Sequence, residues 1–143
     1  MKKIYLKLLV IMIIMLSLVA CTNNNELQDA EKESQVGIND SVYQKISPKD
    51  AKEILDENDS IVLLDVRTKE EYDEGHIPNS ILLPVDDIRK EAENVITDKD
   101  TIIFVYCRSG RRSKNAALEL IDLGYTKVYD LGGIIDWPYE VEK

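Results

Sequence analysis

The sequence predicts an α/β domain: one central parallel sheet of about five strands with helices on both faces. Three observations predict it. Short apolar runs alternate with segments whose apolar residues recur at helical spacing. The runs are continuous rather than interleaved with polar residues, which suits strands covered on both sides. Cap and turn residues stand at the junctions, where helices must start and stop.

Taken in order, Val42–Ile46 alternates and predicts a first short strand. Ser47-Pro48-Lys49-Asp50 opens a helix: Ser as N-cap, Pro at the first helical position and an acid in the first turn. That helix turns Ala51, Ile54 and Leu55 inward and ends near Asn58. Ser60–Leu64 is the second strand, ending at Asp65. Thr68 caps a short helix over Lys69–Asp73, with Glu71 as the acid of a capping box. Gly75-His76-Ile77-Pro78-Asn79 is a turn, because Gly permits positive φ and Pro78 holds its predecessor extended. Ser80–Pro84 is the third strand. Val85–Val95 is helical, with Ile88, Ala92 and Val95 on its inner face. Thr101–Tyr106 is the fourth strand. Lys114–Leu123 is a helix burying Ala116, Ala117, Leu120 and Leu123, stopped by Gly124. Lys127–Leu131 is the last strand, and Trp137 and Pro138 close the core.

One junction carries chemistry. Tyr106-Cys107-Arg108-Ser109-Gly110-Arg111-Arg112-Ser113 lies between a strand and a helix. In open parallel sheets ligands sit beyond the carboxyl ends of the strands. A thiol at a helix N-terminus or beside cations ionises below its ordinary value of about 8.5. Successive backbone N–H groups make an anion-binding nest. Gly110 lets the loop curl, and Ser113 is placed to cap the following helix. The same donors then serve a thiolate and an anionic ligand.

Composition narrows the partners. The chain has 18 Lys and Arg against 27 Asp and Glu. Its first twenty residues hold Lys2, Lys3 and Lys7 and no acid, so the remainder carries a net charge of −12. Nucleic-acid binding needs a basic footprint and is not expected. The basic cluster Arg108, Arg111, Arg112 and Lys114 stands against that acidic background. No Cys/His spacing suits a metal, and no cofactor is expected. A monomer is expected.

The N-terminus reads separately. Lys2, Lys3 and Lys7 precede an apolar stretch of 13 residues, Leu8–Ala20. A membrane span needs about 20 residues, so this length fits an export signal. Leu18-Val19-Ala20-Cys21 resembles the lipobox of bacterial lipoprotein precursors. The resemblance implies a signal peptide over 1–20, cleavage before Cys21 and lipid on that residue. The chain would then be extracytoplasmic and held to a bacterial membrane. Residues 21–42 are polar and without apolar periodicity, and predict a flexible tether spanning ~25 Å. The domain then occupies 43–143.

Four stretches of that domain together resemble the single-domain rhodaneses, which are sulfurtransferases. They are Leu63-Leu64-Asp65-Val66-Arg67, Gly75-His76-Ile77-Pro78, the Cys107–Ser113 loop, and Leu131-Gly132-Gly133-Ile134 with Trp137. Asn79-Ser80 departs from the family's more usual Gly-Ala, and Asn tolerates a left-handed backbone. The resemblance implies that Cys107 takes sulfur from a donor such as thiosulfate, becomes a persulfide, and passes the sulfur to cyanide or a thiol. It also implies that Arg108, Ser109, Gly110, Arg111, Arg112 and Ser113 bind the substrate. Arg111 and Arg112 are the candidates for its sulfonate end, and Arg108 either shares that role or only lowers the Cys107 pKa.

Other readings compete. Cys107 as an inert core cysteine sits poorly with the basic residues around it. His76 is expected to support its turn, and Asp65 and Arg67 to form an internal ion pair. A phosphatase of the related Cdc25 type needs Cys, five residues, then Arg. Here the sixth residue after Cys107 is Ser113, and Arg112 falls one place early. A non-catalytic module that carries persulfide or binds a protein remains an alternative, as does an arsenate or oxyanion handler.

Overall fold

The computed structural model describes residues 43–143. The expected signal peptide, Cys21 and the tether lie outside the described residues. Within them, five strands form a wholly parallel sheet: β1 (Gln44–Lys45), β2 (Val62–Asp65), β3 (Ile81–Leu82), β4 (Ile102–Cys107) and β5 (Lys127–Gly133). Their spatial order is β1-β5-β4-β2-β3. The helices between them are α1 (Pro48–Glu57), α2 (Lys69–Glu74), α3 (Ile88–Val95) and α4 (Arg111–Asp122). A 3-10 turn leads into α3 at Val85–Asp87, and another follows β5 at Ile134–Asp136. The expected fold class is the one observed.

The period of two along each strand divides the core into two clusters. Leu64, Ile103, Val105, Cys107 and Val128 face one side, where Ile88 and Ala92 of α3 and Ala116, Ala117 and Leu120 of α4 cover them. Leu63, Phe104, Tyr106, Tyr129 and Leu131 face the other, against Ala51 of α1 and Trp137. The continuous apolar runs exist because both faces are covered. Cys107 ends the central strand on the α4 side.

Local signals place the early elements as expected. Ser47 Oγ accepts the Asp50 N–H at 3.1 Å with Pro48 in the first turn. The capping box of α2 is complete: Thr68 accepts the Glu71 N–H, and Glu71 accepts the Thr68 N–H. Asn79 has φ 63° in its turn, the left-handed backbone expected of it.

Several side chains depart from expectation. Val95 is 40% exposed and Ile96, one residue beyond the helix, is buried in its place. The 3-10 start of this segment has fewer residues per turn than an α-helix, so counting at the α-helical period drifts off the inner face. Pro138 is exposed, so Trp137 closes the core without it, and Leu123 is only half-buried. The helix α4 begins three residues earlier than predicted.

Tyr129 is buried, and among the described residues its hydroxyl has no hydrogen-bond partner. An unsatisfied buried hydroxyl costs about 1–3 kcal/mol. Tyr129→Phe is therefore expected to raise unfolding stability by about 1 kcal/mol. Denaturant unfolding measures this, and a loss of stability in the Phe variant would show that the hydroxyl is satisfied.

Candidate active site

Cys107 is the last residue of β4, and only Arg108, Ser109 and Gly110 separate it from α4. Gly110, not Ser113, is the N-cap. It sits at φ 92°, a left-handed backbone that glycine adopts without a Cβ clash. Arg111, Arg112 and Ser113 thus form the first helical turn, whose N–H groups have no partner within the helix. The cysteine sulfur supplies one. The Gly110 N–H points to it at 3.1 Å. Burial pushes the Cys107 thiol up, but the amides of Ser113 and Ser109, the Ser113 hydroxyl and the Gly110 amide outweigh it and bring the thiol below its ordinary value. Cys107 is 1% exposed, so the residue lies on the floor of the loop beneath these amides. Its place in the core is what the inert-cysteine reading expects; the ring of donors at its sulfur is not.

Ser113 is a floor residue rather than a cap. It is fully buried, and its Oγ lies 2.6 Å from Asp130 Oδ1, 3.1 Å from Gly110 O and 3.2 Å from Gly132 O. A hydroxyl has one proton, and Asp130 is its nearest acceptor. The amides are therefore the main donors to the sulfur, and the Ser113 side chain adds to them. Asp130 also accepts the Tyr43 hydroxyl at 2.6 Å and the Gly132 N–H at 3.0 Å. This buried carboxylate ties β5, α4 and the chain before β1 together under the loop. Sequence reading missed it, although an acid inside an apolar strand is a usable signal.

β5 shapes itself to the loop. Val105 pairs with Asp130 but Tyr106 pairs with Gly132, so Leu131 is an extra residue and the strand bulges there. Gly133 then passes directly beneath the loop. A Cβ on it would lie 2.6 Å from Arg108 O and 2.7 Å from Ser109 Cα. The Ile135 N–H donates to Arg108 O at 3.3 Å from the other side.

The arginines separate by role. Arg112 makes a two-pronged pair with Glu71, Nη1 to Oε2 at 2.6 Å and Nη2 to Oε1 at 2.8 Å. It also lies close enough to Cys107 for the sulfur to favour its charge. Arg108 and Arg111 are exposed and carry no ion pair or side-chain hydrogen bond among the described residues. A cleft of about 340 Å³ beside the loop is lined by Val85, Asp86, Arg89, Arg111, Arg112 and Asn115, with Glu119. A larger groove of about 880 Å³ lies between α1, β3 and the C-terminal segment and contains no loop residue. Cys107 lines neither; the smaller cleft adjoins the loop through Arg111 and Arg112, and Arg112 also lies beside the sulfur.

The pairing sets a pH dependence. The Arg112 guanidinium holds Glu71 at about 2, against an ordinary 4.5. A carboxylate depressed on folding stabilises above its unfolded pKa, and this contribution fades as pH falls from about 4.5 towards 2. Glu71 is about a quarter exposed, so the whole is worth on the order of 2 kcal/mol after screening. Between pH 6 and pH 3 the wild type is expected to lose about 1 kcal/mol more than Glu71→Gln. Denaturant unfolding at the two pH values checks this; parallel losses would refute it.

The supporting segments are structural. Asp65 is fully buried, and Arg67 pairs with it through Nε at 3.0 Å and Nη2 at 2.6 Å, as the internal ion pair expected. Arg67 Nη2 also donates to Gly75 O at 2.8 Å, fixing the turn that follows α2. His76 stacks on Tyr72 with centroids 3.7 Å apart and pairs its backbone with Glu142, so it supports the turn. The Tyr106 hydroxyl accepts the Ile77 N–H at 3.1 Å, binding that turn to β4. Among the described residues no group of three or more His, Cys, Asp or Glu is arranged to hold a metal, and no helix is long and apolar enough to cross a membrane.

A cysteine at the carboxyl edge of a parallel sheet, under a nest of amides, beside the Gly132-Gly133 end of a bulged strand, defines a family. The rhodanese-like domain profile matches residues 47–138, and the chain belongs to that family. Among relatives, it is 36% identical over 105 residues to YrkF of Bacillus subtilis, whose name marks it as a candidate sulfur carrier protein. That match covers 73% of this chain and 56% of YrkF, so the chain spans little more than half of that relative. It is 35% identical over 97 residues to the thiosulfate sulfurtransferase GlpE of Coxiella burnetii, covering 67% of this chain and 88% of GlpE. The crystal structure of a rhodanese-related protein from Thermoplasma volcanium superposes with a TM-score of 0.61 at 32% identity, over 70% of this chain and 98% of that one.

Proposed function

We propose that this chain is a sulfurtransferase working through a persulfide on Cys107. The observation that carries the reading is the Cys107 sulfur at the end of β4, facing the Gly110, Ser109 and Ser113 amides that lower its pKa. Those donors stabilise negative charge on one sulfur and remain in place when a second sulfur carries it. The Cys107 thiolate attacks the outer sulfur of thiosulfate. A sulfur–sulfur bond forms, the bond to the sulfonate sulfur breaks, and its electron pair leaves with sulfite. Cyanide or a thiolate then attacks the outer sulfur of the persulfide. The Cys107 thiolate departs and is regenerated, and thiocyanate or a new persulfide is released. Such a cycle is covalent catalysis with ping-pong kinetics.

The loop backbone from Arg108 to Ser113 cradles the persulfide, and the exposed Arg108 and Arg111 meet the anionic donor. GlpE, a thiosulfate sulfurtransferase by name, supports this substrate class. The name of YrkF supports a carrier that holds sulfur for a partner. Turnover separates the two.

The test is mass spectrometry of the protein after thiosulfate. A gain of one sulfur atom on the Cys107 peptide, removed by cyanide with release of thiocyanate, is expected. A gain that cyanide does not remove in repeated cycles would favour the carrier. No gain at all sinks the persulfide. Faster hydrolysis of an aryl phosphate than sulfur transfer would favour the phosphatase instead.

The cellular setting rests on the sequence. The signal-like segment 1–20 and Cys21 support a lipid-anchored, extracytoplasmic protein on a tether over 21–42. Palmitate labelling that disappears in Cys21→Ser is expected. An unlabelled protein retaining Met1–Ala20 would overturn this part alone.

A further inference from the structure

We propose that Glu71 is a positioning residue that sets the charge at the reactive sulfur: it fixes Arg112 beside Cys107 and cancels its charge, leaving Arg111 and Arg108 to select an anionic donor. The inference deepens the proposed function and assigns roles within the basic cluster.

Three observations carry it. First, the pair is two-pronged, at 2.6 and 2.8 Å, so the planar guanidinium is fixed in orientation as well as position. Second, Glu71 is itself anchored. Its Oε2 accepts the Thr68 N–H at 3.1 Å in the capping box, so the carboxylate has one rotamer and does not follow Arg112 elsewhere. Behind Thr68 stands the buried Asp65–Arg67 pair, tied on to Gly75. Third, both partners are only about a quarter exposed, so water screens the pair less than a surface one.

The charges around the sulfur then sum differently from the sequence. Arg112 comes with Glu71, and Arg89 with Asp122. Asp65 and Arg67 cancel each other on the β2 side. Asp130 reaches the sulfur only through Ser113. What remains on the loop and the start of α4 is Arg108, Arg111 and Lys114, whose ammonium lies 5.8 Å from the Tyr43 ring, with Asp86 and Glu119 across the cleft from β3's exit and α4. A dianionic donor therefore meets two free arginines rather than three. A neutral or zwitterionic thiol acceptor finds a cleft that is not strongly positive.

The test compares alkylation of Cys107 by iodoacetate and by iodoacetamide in the full chain, read on the Cys107 peptide. The ratio of the two rates cancels the thiolate fraction and any loosening of the loop, and reports the potential at the sulfur. Glu71→Gln keeps an acceptor at the capping-box position, so the helix start is retained. It is expected to raise the ratio on the order of threefold, as an uncompensated unit charge near the site would. Arg112→Gln is expected to lower it by a similar factor. The double variant Glu71→Gln/Arg112→Gln is expected to return to the wild-type ratio, because one neutral pair replaces another. Arg111→Gln, at an exposed position, is expected to lower the ratio and raise the KM for thiosulfate with little change in kcat. A ratio unmoved by Glu71→Gln, or a double variant that does not return, overturns the assignment while leaving the persulfide reading intact. Failure of both reagents to reach Cys107 overturns the two together.

Discussion

Cys107→Ser is expected to reduce thiocyanate formation from thiosulfate and cyanide by on the order of a thousandfold or more, with the fold intact. The two side chains differ by one atom, but the chemistry needs that atom. The donors that bring a thiol below its ordinary value do not bring an alcohol near neutrality, and oxygen does not hold a transferable sulfur. The variant also leaves the loop undisturbed, since the Ser109, Gly110 and Ser113 amides still find an acceptor. An unchanged melting temperature with lost turnover is therefore the expected pair of results. Turnover within tenfold of wild type would remove Cys107 from the reaction.

Gly133→Ala is expected to damage both stability and activity. The added Cβ would lie 2.6 Å from Arg108 O, 2.7 Å from Ser109 Cα and 3.1 Å from Arg108 C, all backbone atoms that no rotamer change removes. Either the loop lifts or β5 sinks, at a cost of about 1–3 kcal/mol typical of overpacking. A loop displaced by part of an ångström no longer aims its amides at the sulfur, and losses on the order of a hundredfold follow from such misplacement. The Cys107 thiol is then expected to titrate nearer its ordinary value, which the pH dependence of iodoacetamide alkylation measures. Wild-type turnover and stability in this variant would show that the strand and loop are not in contact.

Much of this was legible because it is local. A capping box such as Thr68 with Glu71, or Ser47 followed by Pro48, involves residues within one turn, and the backbone has little choice there. The same holds for the covered strands, whose apolar runs record burial on both faces. The position of Cys107 at a strand end followed from those runs. Where locality failed, so did the reading. Ser113 looks like an N-cap by type, but Gly110 with its positive φ starts the helix sooner. Ile96 replaces Val95 in the core because a 3-10 turn shifts the phase of α3.

By itself, the sequence determined the fold class, the family's four motifs and the place of Cys107 at the carboxyl edge. Periodicity, caps and a cysteine at the end of an apolar run are properties of neighbouring residues. Only the tertiary structure decided how the charges around that cysteine are shared. Glu71 and Arg112 are 41 residues apart, and Ser113 and Asp130 are 17 apart. No local pattern pairs them; the sheet order brings α2 and β5 to the two sides of the loop. Coulomb interaction depends on distance in space, so of the three arginines in the basic cluster one is neutralised and two are free.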